Sequence, residues 1–155
     1  MITGSILAKY EAAFAVIPLL VTFIPMLTDT GGNAGSQSST MIIRGMAVGE
    51  IEAGDILRVL WKELRVGVIV GVLLGLVNYI QLVVRFPGQE MLCLTVVLSL
   101  LATVMLAKTI GCVLPIVAQV LHLDPAIMAA PLITTIVDGV SLIIYFQLAC
   151  SLLKI

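Results

Sequence analysis

Asp138 is an acid set well inside an apolar stretch that runs from Pro131 to Tyr145. A carboxylate at bilayer depth costs about 3 kcal/mol or more, so it faces a bundle interior or an aqueous path. At helical spacing Ala130, Thr134, Asp138, Ser141 and Tyr145 fall on one stripe, polar where the rest of the helix is aliphatic. Such a stripe suits the wall of a pore, and its carboxylate would draw cations. The plainer alternatives are a structural pair with Lys108, the one base deep in another apolar stretch, or a protonated acid bonded to a carbonyl.

A second polar feature is the run Thr28 to Ser39, rich in Gly, Ser, Asn and Gln, which directly succeeds the apolar Ala12 to Leu27. Polar groups at membrane depth are tolerated only against protein or a water-filled cavity. If a helix continues through the run, Asp29, Asn33, Ser36, Gln37 and Thr40 share one face, and Gly31, Gly35 and Ser38 another. The first face would offer oxygens to water or an ion, and the second would let a neighbouring helix come close. As a phosphate loop the run fails, because no Lys comes after the glycines. The alternative is an ordinary Gly/Ser loop at the membrane surface.

Composition fixes the setting. The 155 residues are 61% hydrophobic and 11% charged, with a mean hydropathy of +1.21. A soluble domain carries roughly a quarter charged residues, so the chain reads as an integral membrane protein. A net charge of -1 without a basic cluster argues against nucleic acid as a partner. Cys93, Cys112 and Cys150 are far apart in apolar context and read as packing residues, and His122 has no companion for a zinc site. No cleavable signal is evident, and no base or nucleophile pairs with Asp138, so an enzyme is not expected.

Four apolar stretches approach the roughly 20 residues that a spanning helix needs: Ala12 to Leu27, Val66 to Val84, Met91 to Val120 and Ala126 to Leu153. The first reaches full span only by continuing into the polar run. Ile2 to Tyr10 is too short to span and resembles the tail of a helix. Asp55 to Lys62, with Trp61 among basic residues, predicts a short interfacial helix. Phe86 to Gln89 predicts a turn, and Asp124-Pro125 a helix cap. Gly67, Gly71 and Gly75 repeat every four residues, as in close helix contacts, and Gly45 and Gly49 repeat the spacing once. Arg44 to Arg65 holds four of the eight basic residues, the largest concentration in the chain, which places that loop in the cytoplasm and the C-terminus outside, in a multi-pass cell-membrane protein. Glu50, Glu52, Asp55 and Glu63 then form a solvated cytoplasmic face, with regulatory divalent binding as the lesser option.

Pro25 to Gln37, with its Gly-Gly-Asn-x-Gly-x-Gln core, and Ile43 to Ile51 resemble the signature of MgtE-type magnesium channels. Asp124-Pro-Ala, Pro131 to Asp138 and Leu142 to Tyr145 resemble that family's last pore helix. The resemblance covers essentially the whole chain. It implies an all-α integral membrane bundle of four full spans plus a remnant of a first helix, paired as a two-fold homodimer around a central pore. It implies Mg2+ as the transported ion, held with its waters by Asp138 of both protomers. Asn33, Gly32, Thr134 and Asp29 join that metal site, which Ca2+ or Mn2+ would also fit. The partners are then a second copy, the lipid bilayer and divalent cations.

The chain departs from the family pattern in two places. The family's N-terminal helical domain and CBS domains are not in this sequence, so residues 1-155 read as a single pore domain. Ala130 stands where some members have Asn, which removes a polar constriction. The other transport class to weigh is an H+- or Na+-coupled divalent-cation carrier, in which Asp138 would change protonation. A membrane scaffold held by its glycine faces would leave Asp138 and the polar run unexplained.

Overall fold

A chain in lipid must satisfy its backbone internally, which for segments of this length means helices. The computed structural model describes residues 2–10, 15–128 and 130–154, and five α-helices with defined bounds lie among these described residues. They are α1 (Ile2–Lys9), α2 (Ile24–Ala47), α3 (Ile56–Arg85), α4 (Glu90–Val120) and α5 (Ala130–Leu153). Three of them, within Ala53–Arg85, Glu90–Val120 and Pro131–Leu153, are long and apolar enough to cross a membrane. The 24 residues of α2 make it about 36 Å long at 1.5 Å per residue. Its polar run, not its length, keeps it out of that group.

The two prolines of the first apolar stretch decide where α2 begins. Residues 11–14 lie outside the described set. Pro18 opens a 3-10 turn, Pro18–Phe23, and Pro25 sits in the first turn of α2. Proline has no amide to donate and its φ suits a first turn. The expected continuation into the polar run is therefore real, but the apolar stretch gives α2 only Ile24 to Leu27. The Tyr145 hydroxyl donates to the Leu20 carbonyl at 2.9 Å and satisfies that oxygen beside the junction.

Three local expectations change. Asp55 to Lys62 is no separate interfacial helix, because Ile56 to Lys62 form the opening turns of α3 and nothing from there to Arg85 breaks it. Asp124 does cap, its carboxylate accepting the Ala126 amide at 2.9 Å, but the element it opens is the 3-10 turn Pro125–Met128 ahead of α5. Gly45 and Gly49 are not a helix-contact repeat. The Gly45 carbonyl accepts the amides of Glu50 and Ile51, and Gly49 has φ +75, so together they end α2. The turn at Phe86 to Gln89 stands, with Gly88 at φ +82.

At the centre lies α4, packed against α2, α3 and α5. Its Thr95, Ser99 and Thr109 hydroxyls bond back to carbonyls one turn earlier, so these polar residues are accommodated in an apolar setting. The outer helix is α3, which exposes Ile69, Val72, Leu76 and Ile80, a surface suited to lipid tails. Its buried stripe is Gly67, Gly71 and Gly75, laid against α4.

Among the glycines of the described residues, the tightest contact joins α2 to α4 at Gly35 and Gly111. A β-carbon added at Gly111 would lie 2.1 Å from the Gly35 carbonyl oxygen, whereas one at Gly71 would sit 3.4 Å from the Leu101 side chain. Pro115, one turn after Gly111, supplies no amide to the Gly111 carbonyl, which loosens the helix just where it is crossed. Overpacking a core costs about 1–3 kcal/mol, and a clash with backbone belongs at or above the top of that range. Gly111→Ala is therefore expected to destabilise by about 3 kcal/mol and Gly71→Ala by less than about 1 kcal/mol. Unfolding in mixed detergent measures both, and equal losses would contradict the backbone crossing.

Candidate cation site

The polar run turns two different faces outward and inward. Thr28 bonds back to the Ile24 carbonyl at 3.1 Å, and Thr40 to the Ser36 carbonyl at 2.9 Å, so both hydroxyls are satisfied within the helix. Asp29, Asn33, Gln37 and Thr40 are exposed, while Gly31, Gly32, Gly35, Ser38 and Ser39 are buried. Ser36, expected on the exposed face, lies at its edge with an Oγ that is buried and unbonded.

Facing this helix, α5 contributes Thr134 and Asp138. Thr134 and Thr135 both donate to the Pro131 carbonyl, at 3.1 and 2.8 Å. Gly32 is what lets the two helices close. A β-carbon there would lie 3.2 Å from the Thr134 methyl and 3.9 Å from Asp138 Oδ1. The result is an open cleft of about 370 Å³ lined by Pro25, Thr28, Asp29, Gly32, Asn33, Thr134 and Asp138. All five residues expected at a metal site thus meet in one place. Asp138 is half-buried and no hydrogen bond or ion pair reaches it among the described residues. Those residues hold no group of three or more His, Cys, Asp or Glu poised for a metal. One chain therefore offers two carboxylates, an asparagine and threonine oxygens, a set matched to an ion that keeps its waters.

The stripe expected along α5 is shorter than its spacing implied. Ser141 is buried and donates to the Val137 carbonyl at 2.6 Å, and Tyr145 is buried against Leu20. Seven residues turn a 3.6-residue helix by only about 20°, so the face persists and its cover changes: Ser141 lies against Gly31 of α2 and Tyr145 against Leu20. The side chain of Ala130 lies outside the described residues.

Lys108 does not pair with Asp138. Its Nζ lies 3.3 Å from Glu63 Oε2 and 3.2 Å from Ser38 Oγ, and Ser38 donates to the same carboxylate oxygen. This buried cluster ties α2, α3 and α4 together. Glu63 is accordingly not part of a solvated face, since it lies buried beneath the charged segment. The clue was its spacing: Glu63 sits one helical step of four before Gly67, Gly71 and Gly75, on the same inward stripe.

Comparison with known proteins gives a consistent picture. Residues 24–148 match the MgtE family profile, described as a divalent cation transporter. The chain is 36% identical over 154 residues to the magnesium transporter MgtE of Thermus thermophilus, covering 99% of the chain and 34% of the relative. It is 34% identical over 151 residues to that of Bacillus subtilis, covering 97% and 33%. For that of Enterococcus faecalis the identity is 30%, covering 99% and 34%. The chain thus spans about a third of the length of these relatives.

Proposed function

The chain belongs to the MgtE family of divalent cation transporters, and from that premise we propose that it forms the pore of a passive Mg2+ channel. The observation that carries this reading is the unpaired Asp138, set opposite Asp29, Gly32 and Asn33 in an open cleft. Polar groups on the outer face of α2 have no place against hydrocarbon. A second copy related by a two-fold axis would cover that face and bring two Asp138 carboxylates toward one path. In this reading four helices of each protomer span the plasma membrane, the segment from Arg44 to Arg65 is cytoplasmic and the C-terminus is outside.

The chemistry suits a hydrated ion. Mg2+ dehydrates reluctantly and prefers six oxygens; six waters take up roughly 180 Å³ at liquid density, within the 370 Å³ of the cleft. Asp138 and Asp29 supply the charge that holds the ion. Asn33 and the Thr134 hydroxyl offer oxygens to its waters, and Gly32 leaves room for them.

Proteoliposomes under a Mg2+ gradient alone provide the test. A channel gives discrete conductance steps with no H+ or Na+ gradient applied. Uptake that appears only when one of those gradients is imposed would replace this reading with the coupled carrier. The dimer is checked by crosslinking cysteines placed at Gln37 and Thr40, which are expected to pair only across two copies.

A further inference from the structure

Where the last turn of α2 meets the first turns of α3, a cavity of about 620 Å³ opens, and four basic side chains line it. Arg44 comes from α2. Arg58, Lys62 and Arg65 succeed one another at steps of four and three and so share one face of α3. None of the four takes part in an ion pair among the described residues, where Lys108–Glu63 is the one such pair. The carboxylates in the same cavity neutralise them only in part. Glu63 is committed to Lys108, and Asp55 keeps its charge while accepting the Glu52 amide at 3.1 Å. That leaves Glu50 and Asp55 as two carboxylates facing four cations, an excess of two positive charges.

The surroundings identify the anion these cations await. Trp61 lines the cavity and is 63% exposed, as befits a ring at the headgroup level of a bilayer. Past Arg65 the same face of α3 continues through Ile69, Val72 and Leu76, all exposed and apolar. A basic concavity thus leads directly onto an apolar stripe along one helix. Loop topology alone would call for basic residues here, but not for a concave group that outnumbers Glu50 and Asp55 and pairs with neither. Arginine forks match phosphate oxygens two at a time. We propose that this cavity holds the phosphate group of an anionic phospholipid, its acyl chains lying along Ile69, Val72 and Leu76. The bound lipid would join the end of α2, the helix that carries Asp29 and Asn33, to α3.

Trp61 is the sole tryptophan of the chain, so its emission reports on this cavity directly. The purified protein in neutral detergent, without Mg2+, is titrated with short-chain phosphatidylglycerol, short-chain phosphatidylcholine and inorganic phosphate. A saturable response to phosphatidylglycerol, far weaker for the other two, is expected. Each juxtamembrane base contributes roughly fivefold to affinity for anionic lipid. Lys62→Gln should therefore weaken the response roughly fivefold, and Arg58→Gln/Lys62→Gln/Arg65→Gln about 100-fold. Arg85→Gln, at the other end of α3, should leave it unchanged. The three side chains are exposed, and an unaltered helical circular dichroism spectrum keeps the comparison valid. An equal response to phosphatidylcholine, or an unchanged triple variant, would overturn the site. Tight binding of inorganic phosphate without phosphatidylglycerol would overturn the lipid in favour of a soluble anion. Because no Mg2+ is present, failure here is separate from failure of the channel reading.

Discussion

Asp138→Asn should remove most Mg2+ flux while leaving the protein as stable as before. Asparagine nearly matches aspartate in shape, and no hydrogen bond or ion pair holds Asp138 among the described residues, so the exchange breaks no structural contact. Neutralising a carboxylate at bilayer depth also lifts its desolvation cost of about 3 kcal/mol, so stability should not fall. The loss is one of charge. An interaction with a charged group is worth about 1.5–3 kcal/mol, so flux should fall by about tenfold to a hundredfold. Asp29 lines the same cleft but is exposed on the outer face of α2, where solvent weakens its field. Asp29→Asn should therefore cost less than about fivefold. Dye-reported Mg2+ entry into proteoliposomes gives the rates, and melting in detergent confirms the fold. A near-normal rate for Asp138→Asn, or an equal loss for Asp29→Asn, would place the ion elsewhere.

The parts of the site that lie within one helix are legible in the sequence. A 3.6-residue period applied to the polar run separates Asp29 and Asn33 from Gly31 and Gly35, as the structure does. The same period puts Thr134 and Asp138 on one side of α5. Facing partners are harder, because periodicity says which residues share a face and nothing about what covers it. Tyr145 has the spacing of a pore residue, yet its hydroxyl bonds to Leu20, 125 positions away. Ser141 goes with it into the core. Lone residues are harder still: Gly111 belongs to no repeat, yet among the described glycines it makes the tightest contact with a neighbouring helix. Charge misleads in one case. Glu63 lies in the segment richest in charge and reads with its neighbours, whereas its four-residue step from Gly67 assigns it to the interior. The resemblance to the MgtE family supplies the pairing of α2 with α5 that no local pattern contains.

The buried cluster of Lys108, Glu63 and Ser38 should show the largest effect on stability. Lys108→Met would leave the Glu63 carboxylate buried without its ion pair, bonded only to the Ser38 hydroxyl among the described residues. Stranding one member of a buried pair costs about 3–5 kcal/mol. Glu63→Leu strands the ammonium and should cost a similar amount. Removing both leaves no charge to desolvate, and apolar replacements of buried pairs are often neutral or better. The double variant Lys108→Met/Glu63→Leu should therefore recover most of the loss, so the coupling energy should approach the sum of the two single losses, above the roughly 0.5–3 kcal/mol usual for residues in contact. Unfolding in mixed detergent of the two singles and the double completes the cycle, and additive losses would mean that the two charges do not support each other. The same double variant also separates holding α2 from shaping the cleft. Ser38 sits on the inner face of α2, opposite Asp29 and Asn33, and the Gly35–Gly111 crossing still fixes that helix against α4. A double variant that regains its stability should thus regain Mg2+ flux as well. If it is stable but closed to Mg2+, the buried pair itself controls how α2 presents its polar face.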